Sequence, residues 1–130
     1  MTAQEEFAEL ARTLKSVMSP GQGFGLLMKL DGQYNYSSNA DRADVRQTLI
    51  EWVTRVEAQV NTRDAGETEK RSRSRMKLEA KCVDLGHLLE KEGHRLVFFL
   101  FDFGDKGHLA WFTNAPDALG VVKAFLAVTE

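Results

Sequence analysis

The sequence has one cysteine and two prolines among its 130 residues, and no apolar run long enough to cross a bilayer. Cys82 has no second cysteine to close an internal disulfide or to build a cysteine-rich zinc site. That usage fits a reducing, cytoplasmic compartment. The longest apolar stretch, Leu96 to Phe101, falls far short of the roughly 20 residues a membrane helix needs and reads as a buried strand. Glu5, Glu6 and Glu9 stand where an export signal would carry a basic start and an apolar run, so no signal is predicted. A large charge of either sign is missing as well. With a formal net charge of −2 and a pI near 5.9, no global positive field draws the chain onto nucleic acid or anionic lipid, and any such contact must be local.

What is present is the composition of an ordinary folded protein, 43% hydrophobic and 28% charged. The length suffices for a hydrophobic core and predicts a single domain over 1–130. Within it, Tyr36-Ser37-Ser38-Asn39-Ala40 and Trp111-Phe112-Thr113-Asn114-Ala115 match at a shift of 75. Each follows a turn and an apolar run, and each precedes an amphipathic helical pattern. First helices align at a shift of 71, setting Phe7, Leu14, Val17 and Met18 against Leu78, Leu85, Leu88 and Leu89. First strands align at 73, setting Leu26, Met28 and Leu30 against Phe99, Phe101 and Phe103. Last helices also align at 73, with Val45, Leu49, Trp52 and Val53 against Ala118, Val122, Phe125 and Leu126.

These matches predict two helix, strand, strand, helix units, 3–60 and 75–130, joined by a polar linker over 61–74. An isolated hairpin is only marginally stable, so the two hairpins are expected to join into one α+β fold, a four-stranded, mainly antiparallel sheet packed with helices. Ser38 or Asn39 with Asp41 and Asp44, and Thr113 or Asn114 with Pro116 and Asp117, predict helix starts near 41 and 116. Asp31-Gly32 suits a two-residue turn pairing Leu30 with Gln33. A three-residue loop instead pairs Leu30 with Tyr34 and Met28 with Tyr36, and it is preferred because it keeps apolar residues on one face. The same logic pairs Phe103 with Leu109 and Phe101 with Trp111 across a loop from Gly104 to His108.

Gly21-Gln22-Gly23-Phe24-Gly25 follows a helix and opens a strand, the reverse of a nucleotide-binding glycine loop, and reads as helix termination. Cys82, His87 and His94 lack the spacing that gathers metal ligands on one helix face, and no metal or cofactor is expected. Cys82 reads as a small core residue. Asp102, between Phe101 and Phe103, and Lys29 are candidates for an ion pair if the first strands adjoin. Nothing assembles a nucleophile, base and orienting acid, so no enzyme is predicted.

Three surfaces carry binding hypotheses. The strand-to-helix corners place Tyr36, Ser38 and Asn39, and Trp111, Thr113 and Asn114, beside helix N-termini, where free amides hold anions such as a nucleotide's phosphates. Lys70, Arg71, Arg73, Arg75 and Lys77 form the basic cluster, a weaker candidate for nucleic acid because Glu67, Glu69 and Glu79 dilute it. Trp52, Phe98 and Leu100 are candidates for an exposed apolar face that meets a protein partner, a second copy in a homodimer included.

The run Gly23-Phe24-Gly25-Leu26-Leu27-Met28, continuing through Asn35-Tyr36-Ser37-Ser38-Asn39-Ala40-Asp41-Arg42-Ala43-Asp44-Val45, resembles uncharacterised small proteins encoded in bacteriophages and prophages. Unit two echoes it through Phe101-Asp102-Phe103-Gly104 and Thr113-Asn114-Ala115, but has Pro116 and Gly120 where unit one has Asp41 and Val45. The resemblance implies no catalytic residue. It implies a phage accessory protein in the cytoplasm of a bacterial host cell, acting by protein binding, with modulation of a host factor as its effect.

Overall fold

Thr2 and Glu5 open the first helix with a reciprocal cap, in which the Thr2 hydroxyl accepts from the Glu5 backbone N–H at 3.1 Å while the Glu5 carboxylate accepts from Thr2. From there the computed structural model describes residues 2–61, 73–102 and 108–128. The elements are α1 (Ala3–Val17), β1 (Gln22–Leu30), β2 (Gln33–Ser38), α2 (Arg42–Asn61), α3 (Arg73–Leu89) and a short 3₁₀ turn (Glu90–Glu92). They continue with β3 (Leu96–Asp102), β4 (Leu109–Thr113) and α4 (Ala118–Val128). At the ends of the segment expected as a linker over 61–74, Asn61 belongs to α2 and Arg73 to α3; residues 62–72, with Lys70 and Arg71, lie outside the described residues.

The four strands make one antiparallel sheet in the order β2-β1-β3-β4, so the α+β architecture is the one the sequence implies. Both of its faces are covered. On one, Phe24, Leu26 and Met28 of β1 and Leu96, Phe98 and Leu100 of β3 pack with Phe7 and Leu14 of α1 and Leu78, Cys82 and Leu89 of α3. On the other, Leu27, Val97, Phe99 and Phe101 pack with Val45, Leu49 and Trp52 of α2 and Val122 of α4. This two-sided cover explains why β1 and β3 read as nearly unbroken apolar runs.

The last helix of each half lays its aromatic on the other half's hairpin. Trp52 of α2 meets Phe99 of β3 edge-on at 5.1 Å between centroids and Trp111 of β4 at 6.1 Å, while Phe125 of α4 lies 4.8 Å from Tyr36 of β2. Arg46 of α2 donates to the Leu126 carbonyl of α4 at 3.0 Å and ties the two helices together.

Four sequence expectations are corrected. The first hairpin turns in two residues, pairing Leu30 with Gln33 and Met28 with Asn35. Asp31 at φ 51° and Gly32 at φ 79° give the two left-handed residues such a turn needs. The three-residue loop would keep the tyrosines with Met28, but Tyr34 and Tyr36 find apolar cover on the opposite face, beside Leu27. In the second hairpin Phe101 pairs with Leu109 and Phe99 with Trp111, two residues short of the expected register, and the Asp102 N–H bonds the His108 carbonyl at 3.0 Å beyond the last pair.

The strand alignment at 73 sets residues of opposite faces together, since Leu26 and Met28 point toward α1 and α3 but Phe99 and Phe101 point toward α2 and α4. An odd shift reverses the pleat. Lys29 and Asp102 form no pair. Asp102 stands opposite Gln22 while Lys29 lies one residue beyond the Met28–Leu96 pair, so the two are seven residues apart along the ladder, about 23 Å at 3.3 Å per residue.

Candidate functional site

Ser38-Asn39-Ala40 and Thr113-Asn114-Ala115 leave the ends of β2 and β4 and turn back onto the starts of β1 and β3. The Asn39 Oδ1 accepts from the Phe24 N–H at 2.9 Å, and its Nδ2 donates to the Gln22 carbonyl at 3.2 Å. Asn114 repeats this on β3, accepting from the Leu96 N–H at 2.9 Å and donating to the His94 carbonyl at 3.0 Å. Ser38 donates its hydroxyl to the Phe24 carbonyl and accepts from the Ala40 N–H at 3.0 Å. Thr113 donates to the Leu96 carbonyl at 2.8 Å and accepts from the Ala115 N–H at 3.0 Å.

These are four hydrogen bonds made twice, and they equate Gln22 with His94 and Phe24 with Leu96, a strand shift of 72 that keeps each residue on its own face. Paired backbone groups at a hairpin end would otherwise meet water or stand unsatisfied, and here the side chains close the ladder. They are therefore not the helix caps expected of them. Asp41 and Asp117 precede α2 and α4 instead, and the Asp117 carboxylate accepts from the Gly120 N–H at 3.3 Å. The corners thus direct their polar atoms into the chain rather than toward a ligand. Burial pushes the Tyr36 phenol above its ordinary range, against the opposing pull of a Ser38 hydrogen bond and the nearby Arg42 charge.

The apolar surface expected at Trp52, Phe98 and Leu100 is corrected: all three are buried, with at most 2% of their surface exposed. Phe98 and Leu100 lie under α1 and α3, and Trp52 points from α2 onto the opposite face, because the sheet is covered twice. The basic cluster survives only in part among the described residues, with Arg73 and Lys77 exposed at the start of α3 and Arg75 half-buried. Cys82 is enclosed in the core, as its apolar helix position implies, and desolvation first, with the Glu79 charge second, pushes its thiol up to about 12. His87 bonds Glu90 at 3.0 Å. Among the described residues no three histidine, cysteine or carboxylate side chains come together as metal ligands, and no helix is long and apolar enough to cross a membrane.

Exposed apolar surface appears instead on α3. Met76 is 56% and Val83 42% exposed, and with Ala80 they run along the side facing away from the sheet. Their spacing of four then three places them in one line down the helix. Glu79 and Asp84 border an open depression along that line. Leu88, set against Val17 in the sequence alignment, is 61% exposed, and Val17 itself is 41% exposed. The signal was legible: α3 carries two apolar lines, Leu78, Cys82, Leu85 and Leu89 inward, and Met76, Ala80 and Val83 outward. A helix at the surface of a covered sheet needs only the first.

Two more enclosed grooves also lie among the described residues. One lies over Phe7, Leu10, Met28 and Leu30 with Glu92 and His94 at its rim, and the other runs between Leu27 and Tyr34 of the sheet and Val121, Phe125 and Val128 of α4. No protein-family model matches the sequence, and comparison with curated proteins and with solved structures gives no match, so the residues and their geometry carry the functional reading.

Proposed function

We propose that this chain is a nonenzymatic protein-binding module, the accessory role that the phage resemblance implies, and that it meets its partner through the outward side of α3. The observation that carries this is the second apolar line of α3, with Met76 more than half exposed and Val83 nearly so, on a fold whose sheet is already covered on both faces. A large apolar side chain held in water without a packing task marks an interaction surface when it recurs at helical spacing. Charged residues flank the line at Arg73, Lys77, Glu79 and Asp84, the polar rim around an apolar centre that protein interfaces show.

The corners support the same reading, since the hydroxyl and amide groups that would face a nucleotide are bonded to the β1 and β3 backbone. The test compares the wild-type chain with a variant carrying Met76→Glu and Val83→Glu, matched first for unfolding midpoint. The wild type is expected to hold a specific protein partner, its own copy included, and the variant to lose it. Equal retention by both, or no partner for the wild type, overturns the proposal.

A further inference from the structure

We infer that the outward side of α3 pairs with the same side of a second copy, as two antiparallel helices crossing at Ala80. This rests on α3 being the binding surface, and it names the partner. Met76, Ala80 and Val83 are spaced four and three residues apart, the spacing of a helix-to-helix seam. The line is close to self-complementary under a twofold axis at Ala80. Reversing the helix about that residue sets Met76 of one copy against Val83 of the other, twice, so that each larger side chain meets one of its own kind across a small residue at the crossing.

Charge is complementary in the antiparallel direction. Lys77 and Asp84 are both exposed, seven residues apart and therefore on the same flank of the line. A twofold perpendicular to the two helices keeps that flank on one side of the seam, so Lys77 of each copy faces Asp84 of the other. The interface is isologous and closes at two copies. In the antiparallel pair the two Glu79 side chains share the second flank near the axis, and Glu79 already has an interaction within its own chain.

The dimer is concentration-dependent. Seventeen residues of α3 span about 25 Å, and one helix seam falls below the roughly 1,200 Å² that stable interfaces bury.

The experiment is sedimentation or light scattering on the full chain over about a hundredfold range of concentration, with Lys77→Glu, Asp84→Lys and a mixture of the two variants. Both positions are exposed, and a circular dichroism melt checks that each variant is folded. Wild type is expected to pass from monomer to dimer, and each single variant, now opposing like charges at two contacts, to dimerise roughly tenfold more weakly or worse. In the mixture every contact joins opposite charges again, so a heterodimer forms. Wild type monomeric throughout, single variants dimerising as wild type does, or a mixture that stays monomeric overturns the inference. A monomeric wild type that still holds a different protein through Met76 and Val83 overturns the second copy alone, whereas loss of both overturns the binding surface too.

Discussion

Gly86 of α3 lies against the ring of Phe112 of β4 so closely that a Cβ built on it would stand nearer than 3.0 Å to three of the ring's carbons, a separation real Cβ atoms essentially never show. The helix is pressed onto the edge strand at this point, and the absent side chain permits it. Gly86→Ala should therefore destabilise the fold by about 1–3 kcal/mol through overpacking. Alanine's better helix propensity opposes this by only about 1 kcal/mol. A urea unfolding midpoint equal to or above wild type would show that α3 and β4 have room to separate.

The duplicated clamp gives a sharper comparison. Asn39→Ala and Asn114→Ala each leave a partly buried strand N–H, of Phe24 or of Leu96, without its acceptor. Each loss should be roughly 1–3 kcal/mol, the range for an unsatisfied backbone group. Because both residues act within the chain, neither variant should alter self-association at concentrations where the protein stays folded. A change in binding at unchanged stability would return the corners to candidacy as a ligand site.

Much of this fold is legible in the sequence, and the parts that are not share a cause. Apolar periodicity finds β1, β3 and the inward line of α3, and it places Cys82 in the core. It does not say on which side of a strand a residue will find cover. The preference for a three-residue loop assumed one buried face, whereas Tyr34 and Tyr36 are packed on the other, beside Leu27. A one-residue change of register exchanges faces, so the strand alignment at 73 failed for the same reason. Trp52, Phe98 and Leu100 look like spare apolar surface because nothing local reports that α2 will cross onto the other hairpin, or that α1 and α3 will cover the other face of β3. The outward line of α3 was present in the spacing but hidden by the stronger inward one.

Trp52 separates shape from polarity. Its indole N–H is buried without a hydrogen-bond partner, while its ring contacts Phe99 and Trp111. Trp52→Ala should cost about 3–5 kcal/mol by emptying the space between α2 and the sheet. Trp52→Phe should cost far less, since the smaller ring keeps much of the contact and removes a donor whose desolvation is uncompensated. Chemical denaturation of both variants checks this, and equal losses would mean that the nitrogen has a partner in solution.

Cys82 makes the pH dependence explicit. Burial raises its thiol from an ordinary 9.0 to about 12 in the folded chain, while in the unfolded chain it returns to the ordinary value. Between those values the unfolded state has released the proton and the folded state has kept it, so the unfolded state binds fewer protons and stability falls as pH rises. The contribution is present in full below pH 9.0 and is lost toward pH 12, by about 1.4 kcal/mol per unit across that window. Cys82→Ala should flatten this part of the stability profile, measured by urea unfolding at pH 8, 9 and 10, after allowing for the constant loss of the sulfur's packing. The same enclosure predicts that a thiol reagent labels native protein only at the rate of unfolding, because the thiolate is the reacting form and neither it nor a path to it exists in the folded state. Rapid labelling of folded protein at pH 8, or a wild-type profile parallel to that of Cys82→Ala, would place the thiol at the surface and refute its assignment to the core.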